Sequence, residues 1–298
     1  MYSVPASVII VVRIFLFLLK GVLVIKAFDE LTITDDFMFG AVMSDPKYCK
    51  PLLELVLGVK IDRIEYPERQ KAIAERYSSK SIRLDVYVAD GAGTVYDVEM
   101  QTESRKNLPK RTRYYQGMID LHILEQGEEY TKLAKSFVIF FCTFDPFEKG
   151  RWVYTFENLC REDPAIALGD ESTKIILNTK GRVGEIDADL RDLLHYMDGK
   201  APNNDYTKQL ESAVADVRAD EKWRRDYMVL NELLRDRERL AKRSRSVAFV
   251  RDFRDEVQQD QLARFAYISP EQLNLILNAI DTHPDWDDEQ IAESVDFE

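Results

Sequence analysis

The sequence predicts an α/β fold, in which helices flank a set of strands and an α-helical C-terminal part follows. Three observations carry this prediction. Residues 84–101 alternate apolar and polar side chains around a glycine turn, and residues 136–144 form a continuous apolar run rich in aromatic and β-branched residues. From about residue 186 the apolar residues recur at helical spacing. The order helix, strands, helix, strand is typical of an α/β core.

The helices and the remaining strands follow from local signals. In LTITDDFMFGAVM, Asp35 is predicted to cap a helix that begins near Asp36 and runs through the 40s. A second helix is expected to end at Gly58, and Pro109 marks the start of a third. The runs RWVYTF and TKIILN are predicted as further strands.

Composition indicates a soluble, cytoplasmic protein. The 298 residues are 45% hydrophobic and 32% charged, which allows one large or two modest domains with a buried core. The net charge of −12 argues against a surface coated for nonspecific nucleic-acid binding, although a local basic groove is compatible with it. Three cysteines and three histidines lack the spacing of a zinc site or a Cys–His nucleophile, and the odd cysteine count favours reduced thiols.

The N-terminus departs from this composition. Residues 8–25 form an apolar run about as long as a membrane span, which Arg13 and Lys20 interrupt. No small-residue cleavage site follows it, so a cleaved signal peptide is not favoured. A signal anchor and a translation start assigned too far upstream stay open as interpretations, and the cytosolic character of the remaining chain favours the second.

The central hairpin places two acids opposite each other. With Gly91 to Gly93 as the loop, Val86 faces Val98, and Asp85 faces Glu99 on the other side of the sheet. A slip of one residue would mix the apolar and polar faces, so burial penalises it.

Facing carboxylates need an explanation, because their Cβ atoms lie only about 5 Å apart and like charges there destabilise a sheet. Either Arg83 neutralises the pair or a cation sits between the two acids. Mg²⁺ is usually held by hard oxygen ligands with room left for water and a phosphate. A solvated polar strand face is the alternative that the residues alone leave open.

Six runs together carry a family resemblance: LTITDDFMFGAVM, RLDVYVAD, VYDVEMQ, LPKRTRYYQGMID, FVIFFCTFDPF and YTFENLC. They resemble the PD-(D/E)XK nuclease family transposases, also described as recombination-promoting nucleases, and the VEMQ and RTRYYQ blocks are the most specific. The resemblance implies the restriction-endonuclease-like fold, a mixed central sheet flanked by helices. It also implies a Mg²⁺-dependent DNA endonuclease that acts in recombination of mobile elements.

The resemblance assigns three catalytic positions. Asp85 is the first acid and Glu99 the second, and both would hold Mg²⁺, with one or two metal ions in use. Gln101 stands where the superfamily has lysine. A lysine would neutralise charge that builds up on the phosphate and help position the attacking water, whereas glutamine can orient water but carries no charge.

A third acid and a basic segment complete the predicted site. Superfamily members often supply an acid from the first helix, which makes Asp36 a third metal ligand; an aspartate that interacts with the helix dipole is the alternative. Lys110, Arg111 and Arg113 are predicted to contact DNA phosphates, with Tyr115 in the core. A solvated helix start is the alternative for these cations.

The predicted organisation has three parts: an apolar extension over residues 1–26, a nuclease-like domain over residues 27–182 and a helical region over residues 183–298. DNA is the predicted partner, a homodimer is compatible with the sequence, and no small-molecule cofactor is expected. Two other classes of protein stay open. One is a catalytically weakened DNA-binding or protein-interaction module, which Gln101 and the acidic charge favour, and the other is a membrane-anchored protein.

Overall fold

The computed structural model describes residues 26–66, 86–104, 106–124 and 127–295. The chain divides into two compact units, one formed by Ala27–Arg224 and one that contains residues 225–295. The predicted domain boundary between residues 182 and 183 stays a prediction. The compact first unit includes the chain on both sides of that position.

Within the described residues, the first unit is built on a six-stranded sheet. Its strands are β1 (Ile64–Glu65), β2 (Val86–Asp90), β3 (Val95–Gln101), β4 (Ser136–Cys142), β5 (Val153–Phe156) and β6 (Ser172–Asn178). They are arranged in the order β1-β2-β3-β4-β6-β5, and the central strands β3, β4 and β6 are parallel while the outer pairs are antiparallel. This mixed sheet confirms the predicted α/β fold.

Helices precede, interrupt and follow the strands. Those of the first unit are α1 (Asp36–Met43), α2 (Pro46–Leu57), α3 (Leu108–Ile123), α4 (Ala188–Met197) and α5 (Asp205–Ala219). Short 3₁₀ helices occur at Phe28–Glu30 and Tyr130–Lys132. Asp35 occupies the N-cap of α1 and Pro109 lies in the first turn of α3, as the sequence predicts.

The second unit is helical, which confirms the predicted α-helical C-terminal part. Helix α6 (Glu221–Phe253) begins at the end of the first unit, and α7 (Gln259–Ala266), α8 (Pro270–Thr282) and α9 (Asp288–Ser294) follow it. Apolar residues from all four helices form one buried core, among them Val250, Leu262, Ile276 and Ile291. Over the described part of the chain, no helix is both long and apolar enough to cross a membrane. The apolar run of residues 8–25 lies outside that part.

The hairpin of β2 and β3 has the predicted register. Val86 lies opposite Val98, and the antiparallel pairing continues regularly toward the turn. The predicted pairing of Asp85 with Glu99 falls partly on residues 67–85, which lie outside the described residues. That pairing therefore stays a prediction.

The turn of this hairpin is held by Asp90. Its carboxylate accepts hydrogen bonds from the backbone N–H groups of Ala92 and Thr94, at 2.9 Å each, and from the hydroxyl of Tyr96 at 2.7 Å. Burial raises the pKa of Asp90, but the bonds from Tyr96 and the backbone outweigh it and hold the pKa below its usual value. Gly93 has φ of +84°, a conformation that glycine adopts without steric cost.

Strand β3 differs from the half-buried strand that its alternation predicts. All of its residues are buried, including Asp97, Glu99 and Gln101. The reason is not local, because β3 pairs with the parallel strand β4 and helices cover both sides of the sheet. A solvated polar strand face is therefore wrong for β3.

Two neighbouring residues of β4 show which helix covers which side. Phe140 stacks on Tyr115 of α3 with ring centroids 5.8 Å apart, whereas Phe141 lies 6.2 Å from Phe39 of α1. Adjacent residues of a strand point to opposite faces, so α3 and α1 lie on opposite sides of the sheet. Glu99 pairs with Phe140 and therefore points to the side covered by α3, here called the α3 face.

Candidate active site

Strand β3 presents three polar side chains to the α3 face. Asp97, Glu99 and Gln101 are 0%, 2% and 8% exposed, and their register partners on β4 are apolar. Removing a carboxylate from water costs several kcal/mol unless it gains a charged or hydrogen-bonding partner. The surroundings of this polar row must therefore supply such partners.

Arg111 of α3 is one such partner. Its Nη2 atom lies 3.6 Å from Oε2 of Glu99 and donates a hydrogen bond to the hydroxyl of Tyr115 at 2.8 Å. Its Nη1 atom donates a short hydrogen bond to Oε1 of Gln101. One guanidinium thus contacts both site residues of β3 that the sequence analysis singles out.

Aromatic rings hold this guanidinium in place. Its central carbon lies 5.3 Å from the ring centroid of Tyr115 and 5.5 Å from that of Phe140, within the range of cation–π attraction. Arg111 and Tyr115 are four residues apart and share one side of α3. The side chain of Arg111 remains 27% exposed, so it is held by these rings while part of it still reaches solvent.

Gln101 has protein partners at both ends of its amide. Oε1 accepts from Arg111, and Nε2 donates to the backbone carbonyl of Glu103 at 2.8 Å. An amide has two N–H groups and two carbonyl lone pairs, so each end retains capacity for a second partner. A water molecule oriented by Gln101, as predicted, would therefore bind to an amide that already makes these two contacts.

The charges of Glu99 and Arg111 affect the pKa values of neighbouring side chains. Burial raises the pKa of Tyr115, and the negative charge of Glu99 raises it further, so the phenol keeps its proton at neutral pH. Burial likewise raises the pKa of Cys142 to about 12, although the nearby cation of Arg111 acts in the opposite direction. Neither group is a candidate nucleophile.

Asp97 is a residue that the sequence analysis passed over. It is completely buried on the α3 face, two positions before Glu99 on the same strand. Its register partner is Tyr87, whose pKa is raised to about 12 by burial and then by the charge of Asp97. The two-residue spacing in VYDVEMQ was the signal that could have identified it, since it puts both acids on one face.

The chemistry of the donors suits a hard cation, although the described residues supply only part of a site. Carboxylate oxygens are the preferred ligands of Mg²⁺, and Glu99 offers one in a buried position. Asp85 lies outside the described residues. No group of three or more His, Cys, Asp or Glu side chains that could hold a metal occurs in the part of the chain that is described.

Asp36 is not brought into such a group with Glu99. It is exposed at the first position of α1, and α1 packs through Phe39 against the side of the sheet opposite the α3 face. Its role as a third metal ligand stays a prediction.

The basic segment divides between two environments. Lys110 and Arg113 of α3 are exposed, and Tyr114 beside them is 41% exposed. Arg111 turns inward to Glu99, and Tyr115 is buried in the core under α3, as the sequence predicts. Contacts of these cations with DNA stay a prediction.

One family model matches the part of the chain that carries these elements. Residues 34–178 match the family model described as PD-(D/E)XK nuclease family transposase. This range contains all the predicted site residues, which are Asp36, Asp85, Glu99, Gln101, Lys110, Arg111 and Arg113. Neither the curated proteins nor the solved structures contain a significant match to the chain. The resemblance seen in the sequence is confirmed.

Proposed function

We propose that the chain is a Mg²⁺-dependent DNA endonuclease, because residues 34–178 match the family model of the PD-(D/E)XK nuclease family transposases. The family is a nuclease family, which implies a DNA substrate, and its superfamily generally uses divalent metals. The finer proposal is hydrolysis of a phosphodiester bond at the α3 face of β3.

One observation carries this proposal: a carboxylate, a carboxamide and a guanidinium are gathered where the sheet could hold apolar side chains. The matching positions of β4, which are Phe140 and Cys142, are apolar and pack in the core under α3. Polar side chains that replace apolar ones in a protein core, without an evident structural need, are typical of functional sites.

Each proposed role follows from the chemistry of the side chain. Asp85 and Glu99 would hold the metal, which when bound would polarise the scissile phosphate and lower the pKa of a bound water. Asp36 is proposed as a further ligand. Lys110 and Arg113, exposed on α3, hold the DNA by its phosphates.

Nicking of supercoiled plasmid by the purified full-length chain tests the proposal. We expect nicking that requires Mg²⁺ and that is lost in both Asp85→Ala and Glu99→Ala, with circular dichroism unchanged. An unaltered rate in the folded Glu99→Ala variant, or nicking that persists in excess chelator, would overturn the proposal.

A second function, DNA binding without efficient cleavage, is favoured by the contacts of Gln101. Both ends of its amide already have protein partners, and the residue carries no charge. Binding of duplex DNA, measured by fluorescence anisotropy alongside nicking, separates the two functions. Binding at micromolar protein without nicking at any Mg²⁺ concentration would favour the second.

A further inference from the structure

We propose that Arg111 supplies the positive charge of the catalytic site in place of the lysine that Gln101 replaces, and that Gln101 is a positioning residue that holds Arg111 there. This inference rests on the proposed nuclease function. It changes the role of Arg111 from one of several cations along the DNA to the cation at the reacting phosphate.

A phosphate bound at this site would lie close to two carboxylates, so a nearby cation would favour its binding. Asp97 and Glu99 both lie on the α3 face of β3, and a phosphodiester would add a further negative charge. Hydrolysis of a phosphate builds up more charge in the transition state, and a preorganised cation stabilises that charge. Arg111, at 3.6 Å from Glu99, is already at this position.

The pairing of glutamine with arginine has a simple physical reason. The carbonyl oxygen of Gln101 accepts a hydrogen bond from the guanidinium of Arg111. A lysine at position 101 would bring an ammonium against the guanidinium, and the two like charges would repel. Glutamine at position 101 thus allows the guanidinium of Arg111 to bind there from α3, and the residues at positions 101 and 111 are complementary.

Gln101 is itself oriented for this task. Its Nε2 atom donates to the carbonyl of Glu103, a bond that only the amide nitrogen can make, and this fixes Oε1 toward Arg111. The partners on both sides of the amide indicate that Gln101 acts through Arg111 rather than directly on water.

Arginine is suited to this environment. Its guanidinium remains protonated in proteins, whereas a lysine ammonium loses its proton more readily when it is buried. The rings of Tyr115 and Phe140 restrict the side chain, so little conformational entropy is lost when a phosphate binds. The side chain is not completely buried, since 27% of it is exposed to solvent.

The matched comparison is Arg113, which lies two positions further along α3. It is exposed, whereas Arg111 is turned toward Glu99. Arg111→Gln and Arg113→Gln remove the same charge from the same helix. The first should slow the chemical step, and the second should weaken the binding of DNA.

The experiment measures single-turnover nicking by the full chain at saturating DNA and Mg²⁺. Arg111→Gln should reduce the rate by roughly 10²- to 10³-fold, the loss typical of one transition-state contact. Arg113→Gln should instead raise the DNA concentration that half-saturates the rate, because it removes a phosphate contact. Arg191→Gln, which removes an exposed arginine of α4 that has no proposed role in the site, should leave the rate within about twofold of the parent. Gln101→Lys alone should also be slow, because the ammonium displaces Arg111. The double variant Gln101→Lys/Arg111→Gln returns the charge to position 101 and should recover at least a tenth of the parent rate.

A second readout does not depend on cleavage. Mn²⁺ affinity, measured by calorimetry on the DNA-free chain, should increase several-fold in Arg111→Gln, because a cation beside Glu99 has been removed. Arg113→Gln should show no such increase. A parent chain that does not nick DNA would refute the proposed function, and the Mn²⁺ comparison would then still decide whether Arg111 sets the charge at Glu99.

The inference fails if Arg111→Gln nicks at the parent rate, if the double variant is no faster than Arg111→Gln, or if Arg111→Gln and Arg113→Gln bind Mn²⁺ equally. Should Arg111→Gln not fold, as thermal melting would show, Arg111→Lys provides the decision. It keeps the charge and should retain at least a tenth of the parent rate. A folded Arg111→Lys variant that is slower by more than a hundredfold would contradict the proposal.

Discussion

Glu99→Gln is the substitution that separates the chemistry of the site from its contribution to stability. The amide has nearly the same shape as the carboxylate but lacks its charge, so it cannot serve as an anionic metal ligand. We expect nicking to fall by at least about 10²-fold, as for loss of a group that stabilises transition-state charge. The fold should survive, because the apolar contacts around β3 are unchanged.

The expected change in stability follows from two opposing terms. At 3.6 Å from Nη2 of Arg111, the carboxylate of Glu99 gains about 4–5 kcal/mol of Coulomb energy at an effective dielectric constant of about 20. Its burial costs several kcal/mol of lost hydration, which the substitution restores. Arg111 is partly exposed and keeps its bonds to Gln101 and Tyr115. The net change in unfolding free energy should therefore be within about 2 kcal/mol.

Calorimetry and plasmid nicking on the same preparations test both parts. A change of 2 kcal/mol corresponds to a Tm shift of roughly 4–8 °C for a unit of this size. Glu185→Gln, the same substitution at an exposed position, is the control and should change neither quantity. Full nicking activity in Glu99→Gln would refute the catalytic assignment. A Tm shift above about 15 °C would show that the carboxylate chiefly supports the fold.

The remaining predictions use the same two assays and DNA binding. Asp85→Asn should lower nicking as far as Glu99→Gln does, and Asp36→Asn should lower it by a smaller factor; parent activity in Asp85→Asn would place the active site elsewhere. Asp90→Asn should lower the Tm more at pH 7 than at pH 3: the pKa of Asp90 is lower in the folded state, so its stabilisation is fully present above the usual value of 3.8 and is lost as the pH falls through the folded pKa. A Tm difference that is as large at pH 3 as at pH 7 would contradict this assignment. Lys110→Gln/Arg113→Gln should weaken DNA binding and reduce the slope of log K against log [salt] by about 2, one for each lost phosphate contact. An unchanged slope would mean that neither side chain contacts DNA.

The hairpin could be predicted because local rules determine it. Alternation identifies both strands, glycine permits the positive φ at Gly93, and burial of one face excludes a register shift. Strands β4 and β6 were recognisable for a related reason, since a strand buried on both faces needs a continuous apolar run. The predicted runs at residues 136–144 and 173–178 coincide with Ser136–Cys142 and Ser172–Asn178.

The burial of β3 could not be predicted from its own residues. Its alternation is typical of a strand with one solvent-exposed face. The strand nevertheless pairs with the parallel strand β4, which begins 35 residues after β3 ends, and α3 covers its polar side. Neither the pairing with β4 nor the cover by α3 can be recognised from the residues of Val95–Gln101 themselves. The polar row was therefore identified correctly as a candidate site, but its environment is a covered interior in which every charge needs a partner.

The position of Arg111 shows how such a partner can be found from sequence. By charge alone, Arg111 would be grouped with Lys110 and Arg113. Successive residues of a helix are rotated by about 100° around its axis, however, so Arg111 points in a different direction from both. Leu108 and Tyr115 mark the buried side of α3, and Arg111 lies between them at spacings of three and four residues. A guanidinium on the buried side of a helix must meet an acceptor on the surface that the helix covers. Here that surface is β3, so an arginine on the buried side of α3 already indicates contact with an acid of that strand.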